Sequence, residues 1–136
     1  MKHAYIAHPL NAPHREGIEQ NRRNAAKWVT WAARQGVAPM ARWIVLSGEW
    51  EETPENRELG LQIDEAQVGN CDEIWLCGGR VSSGMQREVA RARQRGIPVV
   101  DLTHLGALPP ACELCGDWIP ADGGVAACGR CVAERQ

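Results

Sequence analysis

The chain has 136 residues, 44% hydrophobic and 24% charged, with a formal net charge of −2. That length allows one α/β domain of ordinary size with a small appendage, and the composition is that of a globular chain. The charge balance argues against nucleic acid or an anionic membrane as partner, and no apolar run approaches the roughly 20 residues of a membrane helix.

The start, MKHAYIAHPL, meets a histidine and a proline too soon for a signal peptide, so a cytoplasmic location is expected. Within it HAYIAHP reads as a short buried strand closed by Pro9, which has no N–H to continue pairing. After the polar loop LNAPHREG, Ile18, Ala25, Val29 and Ala32 mark an amphipathic helix running to Gly36, its face widened by Trp28 and Trp31. VAPMA is a second strand. The segment RWIVLSGEWEETPENRE combines turn residues, acidic residues and two tryptophans, and reads as a long functional loop.

From Pro54 or Glu55, Leu59, Ile63 and Ala66 recur at i, i+4 and i+7 and predict a helix ending near Gly69-Asn70. EIWLCG is a third strand, apolar almost throughout, as a strand covered on both faces is. Met85, Val89 and Ala92 give the next helix, stopped by Gly96, and IPVVDL is the fourth strand. This alternation predicts a parallel sheet with helices on both faces, binding its ligand beyond the carboxyl ends of the strands. HLGALPPA, residues 104–111, reads as a linker between an α/β domain over 1–103 and a cysteine-rich segment over 112–136.

The strand-end segments are AHPLN and CGGRVSSG. In GGRVSSGMQRE the glycines Gly78 and Gly79 let the chain turn, and Ser82-Ser83-Gly84 starts the helix. Two readings of the serines stand side by side: caps for orphan amides, or hydroxyls and amides aimed at a phosphate. The pattern is not G-x-G-x-x-G, so a dinucleotide is not indicated. Glu88 follows Gly84 by one helical turn and lies about 60° from the centre of the buried stripe. Spacing alone makes both Glu88 and Asp64 solvated helix residues.

A resemblance changes that weighting. YIAHPL, GIEQNRRNAAKWV and QIDEAQVGNCDEIWLCGGRVSSGMQREVARARQRGIPVV, in this order, resemble the nucleoside 2-deoxyribosyltransferase-like superfamily over residues 3 to 102. The likeness is to a branch found in bacteria and phages. It implies a flavodoxin-like sheet and cleavage or transfer at an N-glycosidic bond through a glutamate nucleophile in a G-x-x-x-E helix start. That glutamate matches Glu88, with Gly84 as its glycine, and the second carboxylate matches Asp64 in QIDEA. The first-strand tyrosine matches Tyr5, and the turn after it matches Ala7-His8-Pro9, with His8 where a glycine is usual. Ser82 stands where the transferases carry aspartate, an arrangement similar to the deoxynucleoside 5′-monophosphate glycosidases, in which serine contacts phosphate. The implied substrate is therefore a nucleotide or nucleoside, held by Tyr5, His8, Pro9, Gly79, Ser82, Ser83, Gly84 and Met85.

Cys112, Cys115, Cys128 and Cys131 are spaced C-x₂-C-x₁₂-C-x₂-C, which suits a tetrahedral structural zinc with no open position. So short a segment has little core of its own, and metal binding would supply its folding free energy. From Cys112 onward two arginines stand against four carboxylates, so a protein contact or self-association into a homo-oligomer is the expected role, not a nucleic-acid grip. Cys71 and Cys77 read as buried small residues. Trp43, Trp50 and Trp118 are capable of stacking a base, though packing is the more usual use. The competing function is a non-catalytic nucleotide-binding or sensing module whose zinc ribbon contacts a partner.

Overall fold

The computed structural model describes residues 1–111. The elements are β1 (His3–Ala7), α1 (Arg15–Arg34), β2 (Ala38–Met40), α2 (Trp43–Glu49), α3 (Pro54–Val68), β3 (Glu73–Leu76), α4 (Ser83–Gln94) and β4 (Val99–Asp101), then a short 3₁₀ turn at Thr103–Leu105. The strands lie in the order β2-β1-β3-β4 and every pairing is parallel. Tyr5 of β1 is in register with Met40 on one side and Ile74 on the other. This is the flavodoxin-like strand order, in which the chain reverses direction across the sheet between β1 and β3.

The two-residue period of the central strands separates two cores. Ala4 and Ile6 of β1, with Trp75 of β3, pack on Trp28, Trp31 and Ala32 of α1. Trp28 meets Trp31 edge to face at 5.3 Å, and Trp31 meets Trp75 at 6.0 Å. The large aromatics thus form the centre of the α1 layer rather than widening its margin. Burying each supplies roughly 4–6 kcal/mol of apolar transfer before entropy is counted. On the opposite face Tyr5, Ile74 and Leu76 pack on Val68 of α3 and on Met85 and Val89 of α4. Helices therefore cover both faces, as the strand patterning predicts.

The segment expected to be a long loop contains a helix, α2. Its start has no side-chain cap, so the usual N-terminal signal is missing from the sequence. What holds it is tertiary. Trp43 is buried and donates its indole N–H to the Ile6 carbonyl at 3.1 Å. Arg22 of α1 donates through Nε and Nη2 to the Ile44 carbonyl, at 3.3 and 3.0 Å. Gly48 leaves room for that guanidinium, with which a Cβ would collide.

Helix α3 begins as expected: Thr53 caps it by accepting from the Asn56 amide at 3.1 Å, and Pro54 opens the first turn. Its inward face differs from the expected one. Asp64, Gln67 and Val68 are buried, whereas Leu59 is 47% exposed and Ala66 faces solvent. The helix is turned by about one residue, or roughly 100°, because its inner face carries polar groups and Gly60. Arg87 ties α3 to α4 through Glu65 at 2.6 Å and Glu58 at 3.1 Å.

Part of the segment read as a linker packs on the domain. The Trp28 indole donates to the Ala107 carbonyl at 2.9 Å, and Gly79 approaches the Gly106–Ala107 backbone. Among the described residues, no helix is long and apolar enough to cross a membrane.

Candidate active site

A half-open cleft of about 130 Å³ lies at the carboxyl ends of β1 and β3, between α2, α3 and α4. Its position follows from topology: crossovers leave β1 and β3 toward opposite faces and part there. Asp64 from α3 and Glu88 from α4 line its wall, along with His8 from the turn after β1 and Ser82, Ser83 and Gly84 at the start of α4.

Glu88 is only 6% exposed, so its place beside the Met85–Val89–Ala92 stripe is inside the protein, and the solvated reading fails. Asp64, 9% exposed, is buried as well. Spacing could not show this, since the two carboxyls meet in one cleft only once α3 and α4 pack side by side. Burial pushes Glu88 up to about 8, and the charge of Asp64 adds to the shift. Burial likewise pushes Asp64 up to about 7. Tyr5, wholly buried beneath them on β1, pulls in the opposite direction by favouring both anions. Its hydroxyl is close enough to act on both, yet makes no hydrogen bond of ordinary geometry. Burial and the two carboxyls push the Tyr5 phenol well above its ordinary range, which keeps it a neutral donor. One oxygen of Asp64 also lacks a partner. Such orphaned groups are costly in a core but usual where a ligand completes the bonding. Around neutrality the Asp64–Glu88 pair holds about one proton between its two members, a property of the pair rather than of either residue.

His8 is buried and its Nδ1 lies 2.6 Å from the Pro9 carbonyl. A carbonyl only accepts, so Nδ1 carries the proton. Burial lowers the His8 pKa, with Arg80 adding to the effect, so the ring is neutral and Nε2 is an unpartnered acceptor. The ring fits because Gly78, at φ +95°, has no side chain: a Cβ there would lie 2.6 Å from His8 Cδ2 and 2.9 Å from Pro9 Cδ. A histidine where the resemblance implies glycine is thus accommodated by a glycine on the neighbouring strand end.

Ser82 caps α4, accepting from the Met85 amide at 3.3 Å, while its own amide meets the Met85 sulfur at 3.4 Å. The capping reading of this serine holds, and its hydroxyl proton remains available. Ser83 is exposed on the cleft wall. Met85 lines the floor, whereas Pro9 and Gly79 lie outside the lining. Pro9 serves through its carbonyl and Gly79 through its turn, at φ +85°.

The remaining wall comes partly from the segment read as a functional loop, without its residues having been assigned a role. Trp50 comes from the segment read as a loop, and Asn56, Arg57 and Leu61 from α3. Arg57, Leu61 and Asp64 follow the i, i+4, i+7 spacing, a mixed stripe two residues out of phase with Leu59, Ile63 and Ala66. Trp50 is half-buried with its ring over Gly60, where a Cβ would lie 3.3 Å away.

Cys71 and Cys77 are buried free thiols, raised by burial, Cys71 to about 11; Cys71 contacts the Met40 sulfur at 3.4 Å. Both serve as small core residues. No group of metal-binding side chains occurs among the described residues. The expected zinc ligands Cys112, Cys115, Cys128 and Cys131, and Trp118, lie outside them.

Fold and site define a small parallel α/β domain with a pair of buried carboxyls in the cleft at its switch point. Residues 2–102 match the family described as Domain of unknown function (DUF7768), and the chain belongs to that family. No curated protein matches it.

Proposed function

We propose that this protein is an N-glycosidase or deoxyribosyltransferase acting on a nucleotide or nucleoside, with Glu88 as nucleophile and Asp64 as acid and base. The observation that carries the reading is the pair itself: two buried carboxyls from different helices, in one cleft, titrating near neutrality. A pair sharing one proton supplies one anion and one acid, and attack by Glu88 requires that proton to lie on Asp64, although burial raises Glu88 the further of the two. The Glu88 carboxylate attacks the anomeric carbon, and the electrons of the N-glycosidic bond leave with the base. Asp64 gives its proton to that base as it departs. Water, deprotonated by Asp64, then displaces Glu88 from the sugar; in transfer, a second base takes the place of water. Tyr5, a neutral donor beneath both groups, stabilises whichever oxygen is anionic. The resemblance noted in the sequence assigns the nucleophile to Glu88 rather than Asp64.

The C-terminal cysteines complete the proposal as a structural zinc ribbon on Cys112, Cys115, Cys128 and Cys131, offering a surface to a protein partner or a second copy. Incubating the protein with a panel of nucleosides and nucleoside monophosphates, and separating the products by chromatography, tests the activity. Released or exchanged base is expected with the wild type and not with Glu88→Ala. Binding without cleavage by the wild type would replace the enzyme with a nucleotide-binding module.

A further inference from the structure

Within the cleft, charge is unevenly arranged. Its carboxyls are Glu52, Asp64 and Glu88; against them stands one arginine, Arg57, and no lysine. Arg57 forms no salt bridge among the described residues, whereas the adjacent Glu58 is paired with Arg87. Helix α3 carries Arg57, Leu61 and Asp64 on successive turns of the wall, so Arg57 stands about 10 Å nearer the helix start than Asp64. Across the cleft, α4 carries Ser82 and Ser83 above Glu88 in the same sense. The start of α4 meets the middle of α3 there: a Cβ at Gly84 would lie 3.6 Å from Leu61 Cδ2. Arg57, one turn before Leu61, therefore flanks the serine end of α4. The cleft has two tiers, a rim that carries Arg57, Ser82 and Ser83 together with the exposed Glu52, and a floor that carries Asp64 and Glu88, and side chains of both helices lean toward the rim. The floor holds unpartnered polar atoms on Asp64 and His8, the mark of a site completed by a ligand.

We propose that Arg57 is the residue that reads charge in this cleft, binding the phosphate monoester of a nucleotide whose glycosidic carbon lies over the carboxyls. This rests on the nucleotide reading above and deepens it. The guanidinium fork matches two phosphate oxygens, and the free hydroxyl protons of Ser82 and Ser83 supply further donors from the facing helix. The sugar of a nucleotide bridges the two tiers, linking its anomeric carbon to the phosphate. Without Arg57 a dianion would enter a cleft whose remaining charged groups are all carboxyls.

Binding, rather than turnover, separates this inference from the catalytic reading. Affinities of wild type, Arg57→Gln and Arg57→Lys for inorganic phosphate, a nucleoside and the matching nucleoside 5′-monophosphate are measured by calorimetry, with circular dichroism to verify folding. Because Arg57 is exposed and unpaired by salt bridges, both variants are expected to fold. Loss of a charge-assisted pair weakens the monophosphate at least about tenfold in Arg57→Gln, leaves the nucleoside within about twofold, and is partly restored in Arg57→Lys. The wild-type affinity for the monophosphate also falls with salt more steeply than that of Arg57→Gln. Equal losses for nucleoside and monophosphate, or no loss for either, overturn the inference, as does a wild type that binds no monophosphate. Arg57-dependent binding in a wild type that releases no base supports Arg57 while removing the glycosidase.

Discussion

Asp64 on α3 and Glu88 on α4 share the wall of one cleft, and the Tyr5 phenol beneath acts on both. Neither helix alone brings this about. The sheet does, by placing α3 and α4 side by side over the face from which Tyr5 projects. The consequence is a carboxyl pair that is poorly solvated, mutually repelling, and only partly relieved by a neutral donor.

That pair makes stability depend on pH in an unusual direction. Both folded pKa values are raised, so between ordinary carboxyl values and about 8 the folded state binds more protons than the unfolded one. Stability from the pair is fully present below the ordinary carboxyl range, falls as pH rises above it, and is gone by about 8. The change is of the order of a few kcal/mol across that window. Glu88→Gln removes one titrating group and its repulsion of the other. Thermal melting from pH 5 to 9 should therefore give a flatter profile for this variant, and a higher Tm than wild type at pH 9. Parallel profiles would mean that Glu88 is solvated after all.

Activity should respond to the same residue in a different way. Glu88→Ala and Glu88→Gln are expected to abolish turnover while ligand affinity stays within a few-fold, since a nucleophile acts chiefly in the transition state. A slow 2-fluoro sugar analogue should add its mass to the peptide containing Glu88, read by mass spectrometry of a digest. An active Glu88→Ala protein removes the assignment.

The Tyr5 hydroxyl can be isolated from the fold. Tyr5→Phe keeps the ring in its apolar surroundings and deletes an oxygen that lacks a standard hydrogen bond, so stability should change by no more than about 1 kcal/mol. Without that donor both carboxyls lose stabilisation of their anions, and their titration moves to higher pH. Carboxyl carbon shifts followed by NMR across pH 5 to 10 measure this. Unmoved midpoints would show that Tyr5 is a packing residue only.

Much of this arrangement was legible in the chain, in physically understandable parts. The strands were readable because each is a short apolar run between turn residues, and the buried stripe of α4 because Met85, Val89 and Ala92 keep helical period. Helix α2 was not, since it has no cap and is fixed by Arg22 and the Ile6 carbonyl, partners distant in sequence. The inner face of α3 escaped for a related reason. A helix whose buried side carries Asp64, Gln67 and Gly60 presents its clearest apolar period, Leu59–Ile63–Ala66, on a different side. Periodicity finds faces that pack on a core; α3 also faces a cleft. The burial of Glu88 was a tertiary fact: the resemblance pointed to its role, and spacing alone favoured a solvated side chain.

The fit of His8 under Gly78 yields the last prediction. Gly78→Ala meets two obstacles at once: a positive φ of 95°, which an L side chain rarely adopts, and a Cβ within 2.9 Å of both the imidazole and the Pro9 ring. The backbone strain alone costs on the order of 1–3 kcal/mol. Relief by moving the ring would break the Nδ1–H bond to the Pro9 carbonyl and turn Nε2 away from its present place. The double change His8→Gly with Gly78→Ala removes the clash with the imidazole but keeps the Pro9 contact and the strained φ. Chemical denaturation should therefore find Gly78→Ala the least stable of the series, with the double variant recovering part of the loss. The recovered part measures the contact with the imidazole, and what remains measures the backbone together with the Pro9 contact. No recovery would mean that the ring moves aside freely, and that His8 is not held in the cleft by its neighbours.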